Sequence, residues 1–210
     1  MEGEEFQRFH DQWMNQLEGI LQQLRAAIME SEPNQRVLVS KTMEHYQAYY
    51  DAKSEMVQKK VELVLSPPWL SSMERVLLWM GGPRPTVVFG AVALRGMGEE
   101  EVKKMEEMKG EMRRREHEVE DMMRIVQVGV AALVRVKKGS VEEGWVMDKV
   151  VTGVRKVVEA ADVLRMEVMM RVIEVLSSGQ AVEFLNSVLS LLVRLHDWGV
   201  ATDRKRPDKD

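Results

Sequence analysis

Apolar residues recur at three- and four-residue intervals along almost the whole chain, and alternation of the kind a strand requires is absent. Phe6, Phe9, Trp13, Leu17, Ile20, Leu24 and Ile28 form the first such stripe and predict a helix over 6–29. Ser31-Glu32-Pro33-Asn34 reads as a break, because proline lacks an amide hydrogen and holds its predecessor extended. The next helix is expected to begin between Val37 and Lys41, to bury Met43, Tyr46, Tyr50, Val57, Val61 and Val64, and to end before Ser66-Pro67-Pro68. A shorter helix is expected from Trp69 to Met80, capped either by Ser66 with Pro67 in the first turn or by a Ser71/Glu74 capping box, and stopped by Gly81-Gly82. Pro85 favours another short helix over 86–94.

A long segment follows, with Val102, Met105, Met112, Val119, Met122, Val126, Val130 and Leu133 on one face and Lys137-Lys138-Gly139 as its stop. Ser140 and Glu143 suit a capping box opening a helix to Leu176; its valines keep helical spacing through Val157, Ala161, Leu164, Val168 and Val172. Ser177 and Gln180 suit a box for a last helix ending at Trp198, with Gly199 as its stop. The pattern therefore predicts an all-α, single-domain bundle of about seven helices, four of them long, with no sheet. The domain is expected to cover residues 1–200, and 201–210 is expected to be a charged disordered tail.

Composition narrows the function classes. Thirty Lys and Arg against 34 Asp and Glu leave a net charge of -4, so no global basic field exists to hold nucleic acid. Zero cysteines exclude a disulfide framework, a thiolate nucleophile and a zinc-thiolate site. The acidic N-terminus has neither the basic-then-apolar order of a secretory signal nor the Arg-rich character of a transit peptide. No apolar run approaches the roughly 18–20 residues a membrane span needs, so no membrane association is expected. The 17 methionines suit either an adaptable binding groove or core filling, and their helical positions favour the core.

Catalytic and metal patterns are missing. His10, His45, His117 and His196 form neither a Glu-x-x-His nor a His-Glu-x-x-His element, and no phosphate-cradling loop or nucleophile elbow occurs. The expectation is therefore no catalytic residues, no metal ligands and no enzyme. A single-histidine haem site needs no local motif and stays open. Tyr46, Tyr50, Lys53, Trp69, Glu74, Arg75, Trp79 and Arg84 are the candidate interaction or ligand cluster. Aromatics interleaved with charges can enclose an anion or a lipid carboxylate, and can equally form a buried ion-pair network fixing one helix packing, which is the weightier alternative. Arg84 is expected to pair with Glu74 or another acid of this segment.

His45-Tyr46-x-x-Tyr49-Tyr50-x-x-Lys53, Ser66-Pro67-Pro68-Trp69, Glu74-Arg75 and Trp79-x-Gly81-Gly82-x-Arg84-Pro85-Thr86 resemble the plant seed-dormancy-control domain of the DELAY OF GERMINATION proteins and the TGA class of bZIP transcription factors. The resemblance extends to Phe6-x-x-Phe9-x-x-x-Trp13, and to a C-terminal motif carried by Gln180, His196 and Trp198. Position 83 is proline where the family usually has an aromatic, and no basic region or heptad zipper precedes the domain, so direct DNA binding by this chain is not expected. The resemblance implies a non-enzymatic regulatory module in seed dormancy, germination, abscisic-acid signalling or transcriptional regulation. It implies partners such as type 2C protein phosphatases and a location in the nucleus, the cytoplasm or both. As alternatives it implies a sensor holding haem or a fatty-acyl ligand in the helical core, or a transcription-regulatory domain like that of the TGA proteins.

Overall fold

The computed structural model describes residues 2–93 and 95–205. The described residues form α1 (Glu2–Ala27), α2 (Glu32–Leu65), α3 (Ser72–Val76), a 3-10 helix at Pro85–Ala91, α4 (Glu99–Val130), a second 3-10 helix at Ala131–Arg135, α5 (Val141–Val175) and α6 (Ser178–Lys205). Five of the α-helices run for 26 residues or more, one more than the pattern predicts. No strand occurs among the described residues; one isolated antiparallel bridge joins Trp79 and Gly82. None of these helices is long and apolar enough to cross a membrane.

The first apolar stripe behaves as its spacing demands: Phe6, Trp13, Leu17, Ile20 and Leu24 are buried, although Ile28 falls beyond the helix end and is exposed. Pro33 does not interrupt the chain as expected. It lies in the first turn of α2, where an amide hydrogen would have no helical partner, so α2 starts at Glu32 behind Ser31. Trp69–Met80 is not one helix; only Ser72–Val76 is, and the Ser71/Glu74 box is the cap that forms. The 86–94 element is 3-10 rather than α, ends at Ala91, and Leu94 lies outside the described residues. Gly139 adopts φ 77 just before α5, while α4 has already tightened into 3-10 geometry at Ala131. Ser140 accepts from the Glu143 amide, but the Glu143 carboxylate reaches Gly139 rather than closing a box on Ser140.

Gly199 is not a stop. α6 continues to Lys205, so 201–205 are helical rather than a disordered tail, and 206–210 lie outside the described residues. Gly199 is instead a contact: a Cβ built there would lie 2.1 Å from Ser71 Oγ, so its absence lets α6 approach the cap of α3. α1, α2 and α6 pack on one another, α5 packs on α2, and α4 packs on α5. The main core joins Leu17 and Leu24 to Phe184, Leu185 and Leu189 and also takes Met105, Met108, Met112 and Met169. A second cluster gathers Phe6, Val57, Val61, Val64, Trp69 and Val158. Residues 66–93, between α2 and α4, lie across this bundle as a roof, packed through α3 on α6 and through the first 3-10 helix on α4, α5 and α6.

Candidate functional site

The roof turns at Met80 and Gly81, which both have positive φ (47° and 77°), while Trp79 and Gly82 exchange backbone hydrogen bonds of 2.6 and 3.2 Å. Two central residues with positive φ describe a tight hairpin turn of the primed kind. Glycine suits position 81; Met80 costs about 1 kcal/mol or more in the left-handed region. The turn therefore needs outside support.

Arg165 of α5 supplies it. Its guanidinium donates to the carbonyls of Trp79, Met80 (3.2 Å) and Pro83 (2.7 Å) and to Asp162 (2.5 Å). Gly82 must lack a side chain, because a Cβ would lie 2.9 Å from Arg165 Cζ. Asp162 also accepts from Lys53 Nζ at 2.7 Å, so two cations share one carboxylate, and both cations are about 3% exposed. Burial pushes the Lys53 ammonium down to about 8 even though Asp162 pulls it the other way.

The second anchor is α4. Arg84 does not pair with Glu74 or any acid of its own segment; it donates to Glu116 at 3.2 Å and Glu120 at 2.5 Å. Glu116 is buried and also accepts from the Thr86 amide (2.7 Å) and hydroxyl (3.1 Å). Trp79 donates to Glu120 at 3.0 Å and lies between the Arg84 and Arg165 guanidiniums, 5.2 and 5.5 Å from its ring centre. Burial raises the Glu120 carboxyl, but the bonds from Trp79 and Arg84 outweigh it and hold the group below its usual range.

A third knot ties α3 to α6. Glu74 closes the capping box on Ser71 and meets His196 Nδ1 at 3.1 Å. Hydrogen bonding to Glu74 raises His196, whereas burial lowers neighbouring His10, whose ring centre is 6.1 Å from that of His196.

The structure thus divides the expected cluster. Lys53 and Tyr50 stand at the Asp162–Arg165 centre, with Lys53 5.8 Å from the Tyr50 ring, and Trp79 and Arg84 belong to the α4 anchor. Glu74 belongs to the α3–α6 knot. Trp69 packs at 4.6 Å on Phe6 in the second apolar cluster, and Tyr46 is buried in the main core. Arg75 is not brought in; it is exposed and donates to the Leu70 carbonyl at 2.8 Å. Of the C-terminal motif, Gln180 caps α6 at Ser177, His196 joins Glu74, and Trp198 stays half-exposed away from both. Sequence reasoning missed Asp162, Arg165, Glu116 and Glu120, which carry most of the polar contacts. No group of three or more His, Asp or Glu suited to a metal ion exists among the described residues.

A family model described as seed dormancy control matches residues 20–93, which include the roof. The protein DOG1-like 4 of Arabidopsis thaliana is 32% identical over 214 residues, covering 93% of this chain and 92% of the relative. The chain belongs to the seed-dormancy-control family. Protein RESPONSE TO ABA AND SALT 1 of the same plant is 27% identical, covering 91% of this chain and 94% of its own length. Transcription factor TGA2, also from Arabidopsis thaliana, is 24% identical over 90% of this chain but 62% of its own length. Within this seed-dormancy-control protein the matched segment supplies Lys53, Trp79 and Arg84, whereas their carboxylate partners come from α4 and α5, outside it.

Two adjoining cavities lie under the roof. The larger, about 680 Å³, runs between the roof, α2, α5 and α6; the smaller, about 140 Å³, reaches toward α1.

Proposed function

We propose that this protein is a non-enzymatic regulatory interaction module of seed dormancy or the abscisic-acid response, and that the distal arm of α4 and α5 is its docking surface. The observation carrying this reading is the arm's exposed apolar surface. No residue between Val119 and Val146 is buried, and Ile125, Val128, Val134, Val141 and Trp145 are 72, 68, 89, 87 and 63% exposed. Large apolar side chains in such number are characteristic of a surface completed by another molecule. Charge selects the occupant: residues 124–156 hold seven Lys and Arg against three Asp and Glu, in a chain whose net charge is -4. A second copy would set two basic arms together. A regulatory protein with an acid-rimmed apolar groove is complementary, and a type 2C protein phosphatase is the partner to test first. The likeness to TGA transcription factors supports action in the nucleus.

The test is capture of a purified type 2C phosphatase by the wild-type protein, Trp145→Ala and Val141→Asp, with circular dichroism confirming each fold. Trp145 at the centre of an interface predicts a loss of about 2 kcal/mol, near 30-fold in affinity. Capture unchanged in both variants would remove the arm from the interface; absence of capture by the wild type would remove the phosphatase.

A second reading, a ligand-binding sensor, is favoured by the larger cavity, whose size falls in the roughly 300–1,000 Å³ of small-molecule sites and whose walls are mainly aliphatic. Its lining suits a fatty-acyl chain better than haem. No histidine lines it, and burial raises the Tyr46 phenol, which disfavours the phenolate that would ligate iron. His10 lines only the smaller cavity. Extraction of the purified protein followed by mass spectrometry tests the reading; no acyl compound and no binding of an added apolar probe would end it.

A further inference from the structure

Of the chain's Ser and Thr residues, only Thr86, Ser140 and Thr152 have a Lys or Arg two or three positions before them. A protein kinase whose peptide groove is acidic reads that spacing, because the cations seat in the groove while the hydroxyl reaches the γ-phosphate of ATP. The fold separates the three. Thr86 is committed, its amide and its hydroxyl both donating to the buried Glu116. Thr152 lies inside α5, where the helix would have to unwind on both sides of it to be read in extended form. Ser140 stands in the turn between the second 3-10 helix and α5, at the tip of the arm.

Residues 136–140 lie outside any helix; Lys137, Lys138 and Gly139 are exposed, and Val141, just after the hydroxyl, is 87% exposed. Arg135, Lys137 and Lys138 precede Ser140, and none of these cations is ion-paired among the described residues. Extending the stretch breaks a turn bond from the Ser140 amide to the Lys137 carbonyl (3.1 Å), the cap bond from the Glu143 amide to Ser140 Oγ (3.2 Å), and the bond from the Gly139 amide to the Glu143 carboxylate. Little else opposes it. No residue between Val119 and Val146 is buried, so opening the tip uncovers no core and costs far less than global unfolding.

Glu142 and Glu143 follow the hydroxyl, and an acid-reading kinase is therefore the rival. Both acids lie in the first turn of α5 and are readable only once that turn unwinds, whereas Lys137 and Lys138 already stand outside any helix. The cations are the more accessible signal.

We infer that Ser140 is a phosphorylation site for a basic-directed protein kinase, and that the phosphate releases the partner docked on the arm. This rests on the docking reading above and names its regulation. Ser140 Oγ attacks the γ-phosphorus of ATP, its proton passes to the kinase's catalytic carboxylate, and the bond to the departing ADP breaks. The phosphate adds about 1.5 to 2 negative charges. Residues 124–156, with seven Lys and Arg against three Asp and Glu, then carry a net charge of about +2 instead of +4, and 135–143 change from net positive to net negative. An acid-rimmed partner is repelled at the tip that had attracted it.

The full chain is incubated with ATP, Mg²⁺ and either the cyclic-AMP-dependent protein kinase, which reads cations before the hydroxyl, or casein kinase, which reads acids after it; mass spectrometry locates the phosphate. Ser140 is expected to take one phosphate about tenfold faster from the first enzyme, with Thr86 and Thr152 unmodified. Ser140→Ala should abolish the transfer, and Lys137→Ala combined with Lys138→Ala should slow it about tenfold. No phosphate on Ser140 from either enzyme would overturn the site. Faster transfer by casein kinase, unaffected by loss of the two lysines, would overturn the basic-directed reader.

Ser140→Asp tests the release, because aspartate keeps a good helix cap while adding an anion at the tip. It should weaken capture of the type 2C phosphatase about threefold at roughly 0.1 M salt, the difference closing near about 1 M, while Ser140→Ala captures as the wild type does. Circular dichroism confirms each fold. Capture by Ser140→Asp as tight as by the wild type at low salt would overturn the release and leave the docking reading standing. Absence of capture by the wild type would remove the docking reading and the release with it, while the phosphate on Ser140 still decides the site.

Discussion

Replacing Asp162 with Asn is the sharpest perturbation the ionic centre allows. Asp162 is the one carboxylate shared by Lys53 at 2.7 Å and Arg165 at 2.5 Å, with side-chain exposures of 13, 3 and 3%. At an effective dielectric of about 20, a charge pair 2.7 Å apart attracts by about 6 kcal/mol, most of it offset by removing both ions from water. The trio as a whole therefore contributes little net stability, but withdrawing its only anion leaves two buried cations face to face. The expected cost is about 3–5 kcal/mol, or roughly 6–20 °C in Tm for a domain of this size. Lys53→Met should behave differently, because Asp162 keeps Arg165 and a methionine fills similar volume; its cost should stay below about 1.5 kcal/mol. Urea unfolding followed by circular dichroism measures both. An Asp162→Asn cost under about 1 kcal/mol at unchanged m-value would mean that water reaches the centre, and the argument from burial would fail.

Other consequences follow from single contacts. Because the folded Lys53 titrates near 8 and the unfolded one near 10.5, the unfolded state binds more protons between those values, so stability should rise with pH from 8 to 10. Above about 10 the buried tyrosines, raised in the fold, oppose it; a wild-type curve as flat as that of Lys53→Met across pH 8–10 would refute the assignment. Gly199→Ala should destabilise by about 1–3 kcal/mol despite the helix propensity it gains, since the new Cβ meets Ser71 Oγ at 2.1 Å. Gly110→Ala, with nothing within 4 Å, should stabilise by up to about 1 kcal/mol; thermal melts of the two variants moving in the same direction would refute this contrast.

The helices were legible because burial enforces their period: the stripes through Leu17, Val57, Met112, Val157 and Leu185 all face the core. Boundaries at proline and glycine differ from the expected ones for one reason. Pro33 and Gly199 were interpreted by local propensity, but Pro33 occupies a turn where its missing amide is harmless, and Gly199 answers to a neighbour, Ser71, far away in sequence. The roof was readable as a concentration of aromatic and turn residues, and half its cluster does meet in space. What could not be read was who pairs with whom, since Arg84 and Glu116 are joined by folding across 32 positions and Lys53 and Asp162 across 109.

A signal for those partners was nevertheless present. Lys53 lies between Tyr50 and Val57, Glu116 between Met112 and Val119, and Arg165 between Ala161 and Val168, each filling a core-facing position of its helix with a charge. A lone charge on an apolar face must be neutralised by another element, because burial unpaired costs several kcal/mol. Each of these three interruptions proved to be 1–3% exposed and bound to a group from elsewhere: Lys53 to α5, Glu116 and Arg165 to the roof. Apolar packing tolerates sliding by a turn, whereas a guanidinium bonded to the carbonyls of Trp79, Met80 and Pro83 does not. The charged interruptions therefore fix where the roof sits over the cavity, and the aromatic motif of the roof depends for its position on carboxylates and a guanidinium that α4 and α5 supply.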